Sequence, residues 1–150
     1  MKALLQRVVS ASVSAAGDKI AEIGPGILVF LGVVKGDAVA DADALAAKCC
    51  EFRIFEDDDG RMNLSILDAG GKILVVSQFT LYADTRKGRR PSWNAAAPGP
   101  VAQPLVEALA EAIRSYAVPV TTGVFGADMA VELVNDGPVT LVLDSSTGGR

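Results

Sequence analysis

The sequence predicts a single-domain α/β fold, and three observations carry that reading. The chain has 150 residues, half of them hydrophobic and 21% charged, which is a globular composition able to bury one core without disulfides. Valine- and isoleucine-rich runs bounded by glycine and proline recur from end to end, as strands do. Between them lie two alanine- and leucine-rich stretches with apolar residues at helical spacing. No repeat and no linker divides the chain, so one domain over 1–144 is expected, followed by a short flexible tail at 145–150.

Residues 2–15, with Leu5, Val9 and Val13 in a valine-rich alternation, read as the first strand. Gly17-Asp18 turns it, 19–23 returns, and Gly24-Pro25-Gly26 turns the chain again. Residues 27–33 form a continuous apolar run, the pattern of a strand covered on both faces. Over 37–52 the character changes: Asp41 and Asp43 suit a first helical turn, while Val39, Ala42, Leu45, Ala46 and Cys49 keep helical spacing. Segments 53–56 and 62–65 flank an Asp-Gly turn and read as a hairpin. Gly70-Gly71 precedes a strand at 72–78, whose centre is Ile73-Leu74-Val75-Val76. A loop over 82–100 leads to a second helix at 101–116, striped by Val101, Leu105, Leu109 and Ile113 and stopped by Pro119. Strands at 120–122, 129–134 and 139–143 complete the chain.

The absence of histidine excludes more than any count. It removes Ser-His-Asp and Cys-His catalysis, the usual neutral-pH base and the commonest zinc ligand. Cys49 and Cys50 are adjacent, so a mutual disulfide is strained, and they read as reduced, buried thiols. Asp57-Asp58-Asp59-Gly60 lacks the alternating spacing of a calcium loop, and no dinucleotide or phosphate-loop glycine pattern is present. No metal site and no cofactor is expected. The run 27–34 is too short to span a bilayer and the N-terminus has no signal-peptide pattern, so a cytoplasmic protein with no membrane contact is expected.

Three segments are candidates for chemistry. Ser77-Gln78-Phe79-Thr80-Leu81 lies where an apolar strand runs out, and it offers hydroxyls, an amide and backbone N–H groups. Without histidine its hydroxyls lack a base, but backbone N–H groups can stabilise an oxyanion without titrating. The net charge is −4, yet Arg86-Lys87-Gly88-Arg89-Arg90 places four cations in five residues. With Tyr82 and Trp93 on either side, this cluster reads either as a hydrated loop or as a nucleic-acid contact, cations for phosphates beside rings for bases. The third is Gly137-Pro138 in Asn135-Asp136-Gly137-Pro138-Val139-Thr140. Cis bonds are only about 5–6% of X-Pro bonds, so a β-turn joining two strands is the plain reading. A cis step would aim two successive carbonyl oxygens the same way, an acceptor pair suited to an ammonium group.

Taken together, 77–81, Tyr82 to Ser92 and 135–140, in this order and separation, resemble the D-aminoacyl-tRNA deacylase family. Gln6-Arg7-Val8, Leu31-Gly32-Val33, Arg53-Ile54-Phe55-Glu56, Met62-Asn63-Leu64-Ser65 and 122–129 extend the resemblance over nearly the whole chain. It implies a three-layer fold with a mixed, barrel-like sheet and two main helices on one side. The implied activity is hydrolysis of the ester joining a D-amino acid, or glycine, to the tRNA 3′ end, in a cytoplasmic homodimer. By the resemblance Ser77, Gln78, Phe79 and Thr80 are catalytic, and Gly137 and Pro138 form a cis gate that enters the partner's site. Arg7 then buttresses that loop, Phe125 and Met129 adjoin the substrate, and Arg86, Lys87, Arg89 and Arg90 meet the tRNA. Trp93 stands where the family is expected to carry phenylalanine more often.

Overall fold

The structure is a computed structural model that describes residues 1–147. In chain order it contains β1 (Lys2–Ala15), β2 (Asp18–Ile23), β3 (Gly26–Gly32), α1 (Val39–Glu51), β4 (Phe55–Glu56) and β5 (Met62–Leu64). Then follow α2 (Ile66–Ala69), β6 (Lys72–Ser77), a 3₁₀ turn (Phe79–Tyr82), α3 (Gly99–Ser115), β7 (Val120–Thr122) and β8 (Met129–Asp144).

β1 organises the sheet because it is long enough to serve several partners. One of its edges pairs antiparallel with β8 along its length, and the other pairs first with β3 and then with β2. β6 runs parallel to β3, and β7 runs parallel to β6. Parallel neighbours need long crossovers, and α1 and α3 lie in those connections. The mixed sheet curls until β2 approaches β6 and β7, giving the nearly closed, barrel-like form.

Side-chain alternation explains the continuous apolar runs. Ile27, Val29 and Leu31 of β3 and Ile73 and Val75 of β6 face α1 and α3, packing with Leu45, Cys49, Leu109 and Ile113. Leu28, Leu74 and Val76 point the opposite way, into a second cluster with Val8, Val13, Ile23 and the half-buried Met129, Val131 and Leu133. Helices, the β3–β6 sheet and the returning strands β2 and β8 therefore form three layers, with both helices on one side.

The elements depart from expectation in four places. The helix expected at 101 starts at Gly99, with Pro98 as its cap residue and Pro100 in its first turn, where a missing N–H costs nothing. α2 was not anticipated; its Ser65 hydroxyl accepts from the Asp68 N–H as an N-cap and Gly70 ends it in the left-handed region, but one turn is too short to leave a periodic pattern. The strands expected at 129–134 and 139–143 are one strand, because both halves pair with β1 in the same direction. In the segment expected as a tail, Ser145–Thr147 forms a 3₁₀ turn, and the Met1 ammonium donates to the Ser145 hydroxyl at 2.7 Å. Residues 148–150 lie outside the described residues.

Candidate active site

The site lies where β6 ends. Ser77 is the last residue of the strand, and Gln78 leaves it at φ −145°, ψ 81° to enter the 3₁₀ turn. The Gln78 N–H still donates to the Leu31 carbonyl at 2.8 Å, carrying the parallel ladder one residue beyond the strand. Phe79 and Thr80 open the turn, where N–H groups have no partner within the turn, and among the described residues theirs meet no other acceptor. Gly32 lets this turn lie close on β3: a Cβ there would come within 3.1 Å of the Gln78 carbonyl oxygen and of Leu81 and Tyr82 side-chain atoms.

A cavity of about 400 Å³ opens beside this strand end. Ser77, Gln78 and Phe79 form one wall, Leu31 and Val33 continue it, and Gly99, Ala102 and Val106 of α3 face them. The loop Phe125 to Asp128, with Met129 and Val131 of β8, closes the remaining side. Gly123 makes room for that arrangement, because a Cβ there would lie 2.7 Å from the Met129 sulfur. A smaller cavity of about 290 Å³ adjoins, sharing Ser77, Val106 and Phe125 and adding Gln103, Glu107 and Thr122.

Of the residues expected at the site, Ser77, Gln78, Phe79, Phe125 and Met129 line the larger cavity together. Thr80 stands just beyond them, and its hydroxyl accepts a hydrogen bond from the Gln78 side-chain amide. An amide cannot take a proton at neutral pH, so this contact does not activate Thr80 as a nucleophile. Asp128 supplies the one carboxylate among the lining residues, and sequence reasoning passed over it because a lone acid beside a turn glycine carries no pattern. Among the described residues no group of histidine, cysteine, aspartate or glutamate side chains could hold a metal ion.

Gly137, Pro138 and Arg7 do not line this cavity. In the β1–β8 ladder Gln6 pairs with Thr140 and Val8 with Asn135, so residues 136–139 bulge out opposite Arg7 alone. The Gly137-Pro138 bond is cis, and both residues are exposed. Gly137 sits at φ +123°, and a Cβ on it would come within 2.9 Å of the Arg7 guanidinium, so glycine is the residue that fits. Arg7 is only 4% exposed. Its Nη1 donates to the Ile54 carbonyl at 2.6 Å and its Nε to the Asp136 carbonyl at 3.2 Å, with the Asp136 carboxylate 3.1 Å away. The arginine thus ties the bulge to the segment that precedes β4.

Arg86, Lys87, Arg89 and Arg90 all lie on an exposed loop closed by paired backbone bonds between Asp84 and Ser92. Arg86 is tied to Asp84 through both Nε and Nη2, at 2.9 and 2.8 Å, and this holds the Asp84 carboxyl down at about 2. Lys87, Arg89 and Arg90 have no carboxylate partner among the described residues. The two rings beside this loop differ from expectation. Tyr82 is half-buried against Gly32, with the Lys2 ammonium 5.0 Å from its ring centre, and burial pushes its hydroxyl pKa up. Trp93 instead meets exposed Phe79 edge to face, with ring centres 5.7 Å apart.

Fold and site define a single-domain α/β protein with a cavity at the end of β6, beside two main-chain N–H groups that meet no acceptor among the described residues, in a chain without histidine. A family model described as D-Tyr-tRNA(Tyr) deacylase matches residues 4–144, and the chain belongs to that family. A D-aminoacyl-tRNA deacylase of Chloroflexus aurantiacus is 58% identical over 97% of this chain and 91% of its own length. One from Thermomicrobium roseum is 59% identical over 97% and 95%. A solved structure described as c-Myc DNA Unwinding Element Binding Protein superposes with a TM-score of 0.89 at 38% identity, covering 96% of this chain and 98% of that one.

Proposed function

We propose that the protein hydrolyses the ester linking a D-amino acid to the 3′ end of tRNA. The observation that carries this reading is the pair of unbonded N–H groups at the end of β6, that of Phe79, which lines the cavity, and that of Thr80, just beyond it. An aminoacyl ester is already activated, so positioning and oxyanion stabilisation suffice, and each well-placed donor contributes roughly 100-fold to 1000-fold. Water attacks the ester carbonyl carbon and gives up a proton to solvent, the tetrahedral oxyanion rests on the two amides, and as it collapses the bond to the ribose oxygen breaks, that oxygen taking a proton from solvent. The terminal ribose hydroxyl that is not esterified orients the water. Ser77 and Gln78 shape the wall, and Phe125 and Met129 hold the apolar side of the nucleoside.

The gate belongs to the same reading. Gly137 and Pro138 stand on an exposed bulge away from their own cavity, which suits a role in the cavity of a second copy of the chain. Their carbonyls hold the substrate ammonium there, so an L side chain is driven into the Gly-Pro backbone while a D side chain points away. Glycine carries no side chain and escapes the gate, so glycyl-tRNA is also cleaved. Arg86, Lys87, Arg89 and Arg90 receive the tRNA phosphates. Among the described residues no helix is long and apolar enough to cross a membrane. The reaction belongs in the cytoplasm because aminoacyl-tRNA is used there.

A timed assay with purified protein tests the reading, comparing D-tyrosyl-tRNA, L-tyrosyl-tRNA and glycyl-tRNA. Rapid loss of the D and glycyl esters with the L ester preserved is expected; equal rates for D and L, or none, overturn it. Solution mass supplies the second readout, since a monomer leaves the gate in trans unbuilt.

A further inference from the structure

Phe79 and Trp93 are large rings left 57% and 37% exposed, and they are the aromatic members of the exposed hydrophobic set. Exposed rings that touch one another at the rim of a cavity call for a ligand, since burial would otherwise be the more stable arrangement. Their edge-to-face contact sets the ring planes at 75°, and both rings keep exposed surface beside it. Phe79 also lines the cavity, so the pair is continuous with the site rather than separate from it. Beyond Trp93 the same loop carries the exposed, uncompensated charges of Lys87, Arg89 and Arg90.

We infer that the Phe79–Trp93 pair stacks an unpaired nucleobase, the one on the 5′ side of the esterified terminal nucleotide. The inference rests on the deacylase reading and specifies how that substrate is held. A cavity of about 400 Å³ takes one nucleoside with its ester, so the next base must lie at the mouth, where Phe79 of the cavity wall meets Trp93. Aromatic rings stack any base, and the strand then runs toward the loop's cations. Rings and cations together match single-stranded RNA, whereas an apolar peptide would leave the three cations without partners.

Trp93 is the sole tryptophan, so its fluorescence reports directly on this contact. The probe is an uncharged hairpin RNA with a single-stranded CCA end, compared with the same RNA made abasic at the nucleotide before the terminal adenosine. The intact RNA should quench Trp93 and bind about tenfold or more tightly than the abasic one. Trp93→Phe and Trp93→Ala lack this fluorophore, so their affinities are read by the anisotropy of end-labelled RNAs: Trp93→Phe should keep the preference, and Trp93→Ala should lose it, binding both RNAs equally. Equal quenching by both RNAs, no binding of either, or an undiminished preference in Trp93→Ala overturns the inference. Far-UV circular dichroism checks that Trp93→Ala folds, and the two RNAs on the unsubstituted protein decide the matter even if it does not. Because these measurements use uncharged RNA, their failure is distinct from failure to cleave a D-aminoacyl ester, which the timed assay reads.

Discussion

The Gln78 N–H donates to the Leu31 carbonyl at 2.8 Å, so the parallel ladder claims one of the three amides at the strand end. In the proposed mechanism oxyanion stabilisation then falls to Phe79 and Thr80, whose N–H groups open the 3₁₀ turn. Substituting the Thr80 side chain leaves its N–H in place. Thr80→Ala should therefore deacylate D-tyrosyl-tRNA within about threefold of the unsubstituted rate, whereas a covalent threonine would cost 10³-fold or more. Single-turnover kinetics distinguishes the two outcomes, and complete loss with the fold intact would refute the backbone assignment.

Gly32→Ala should act on the same amides from beneath. Its new methyl meets the Gln78 carbonyl and two side chains at 3.1 Å, and at least one of those contacts must give. Overpacking of this kind costs about 1–3 kcal/mol, read as a lower denaturation midpoint. The deacylation rate should fall further than the stability loss alone implies, because the displaced group is the start of the turn. An unchanged kcat in the folded variant would contradict this placement of Gly32.

Arg7→Ala removes a buried guanidinium that serves the Ile54 and Asp136 carbonyls. Taking one partner from such a cluster costs about 3–5 kcal/mol, because the groups left behind are desolvated and unpaired. Arg7→Lys should recover only part of this, since a single ammonium does not reproduce the planar fork. Urea denaturation measures both, and equal stability of Arg7→Ala and the unsubstituted protein would remove Arg7 as the anchor of the bulge.

Burial pushes the Cys49 thiol up to about 12, with the neighbouring Cys50 adding to the shift. In the unfolded chain the thiol ionises near 8.5, so the folded state holds its proton longer. The contribution to stability is whole below about pH 8.5 and is lost progressively as pH rises toward the folded value. Cys49→Ala should therefore be less stable at pH 7 through its cavity, yet show a flatter loss of stability between about pH 8.5 and 11. Parallel pH profiles for the two proteins would contradict a buried, protonated thiol.

Much of this structure was readable in the sequence because its elements have strong local signals. The run 27–33 and the strand at 72–78 announce themselves by composition, and the second helix by its leucine stripe. What was hidden depends on partners distant in the chain. The residues around Gly137 look like a turn until β1 is seen pairing with both flanks in one direction, leaving four residues against Arg7. Which amide at the strand end is already bonded depends on Leu31, 47 residues earlier. Tyr82 and Trp93 look equivalent beside the cations, and packing on Gly32 separates the half-buried ring from the exposed one.

The main-chain character of the cavity has a consequence for how this protein tolerates change. The two donors proposed for the oxyanion belong to the peptide backbone, which every amino acid carries, so ordinary substitutions at Phe79 or Thr80 cannot delete them. Proline alone removes an N–H outright. Inactivating changes should therefore gather not at the polar residues that catch the eye but at the glycines and the buried arginine that set backbone shape. A deep mutational map of the chain would look inverted beside that of a triad hydrolase: permissive at the reacting centre and intolerant in its scaffolding.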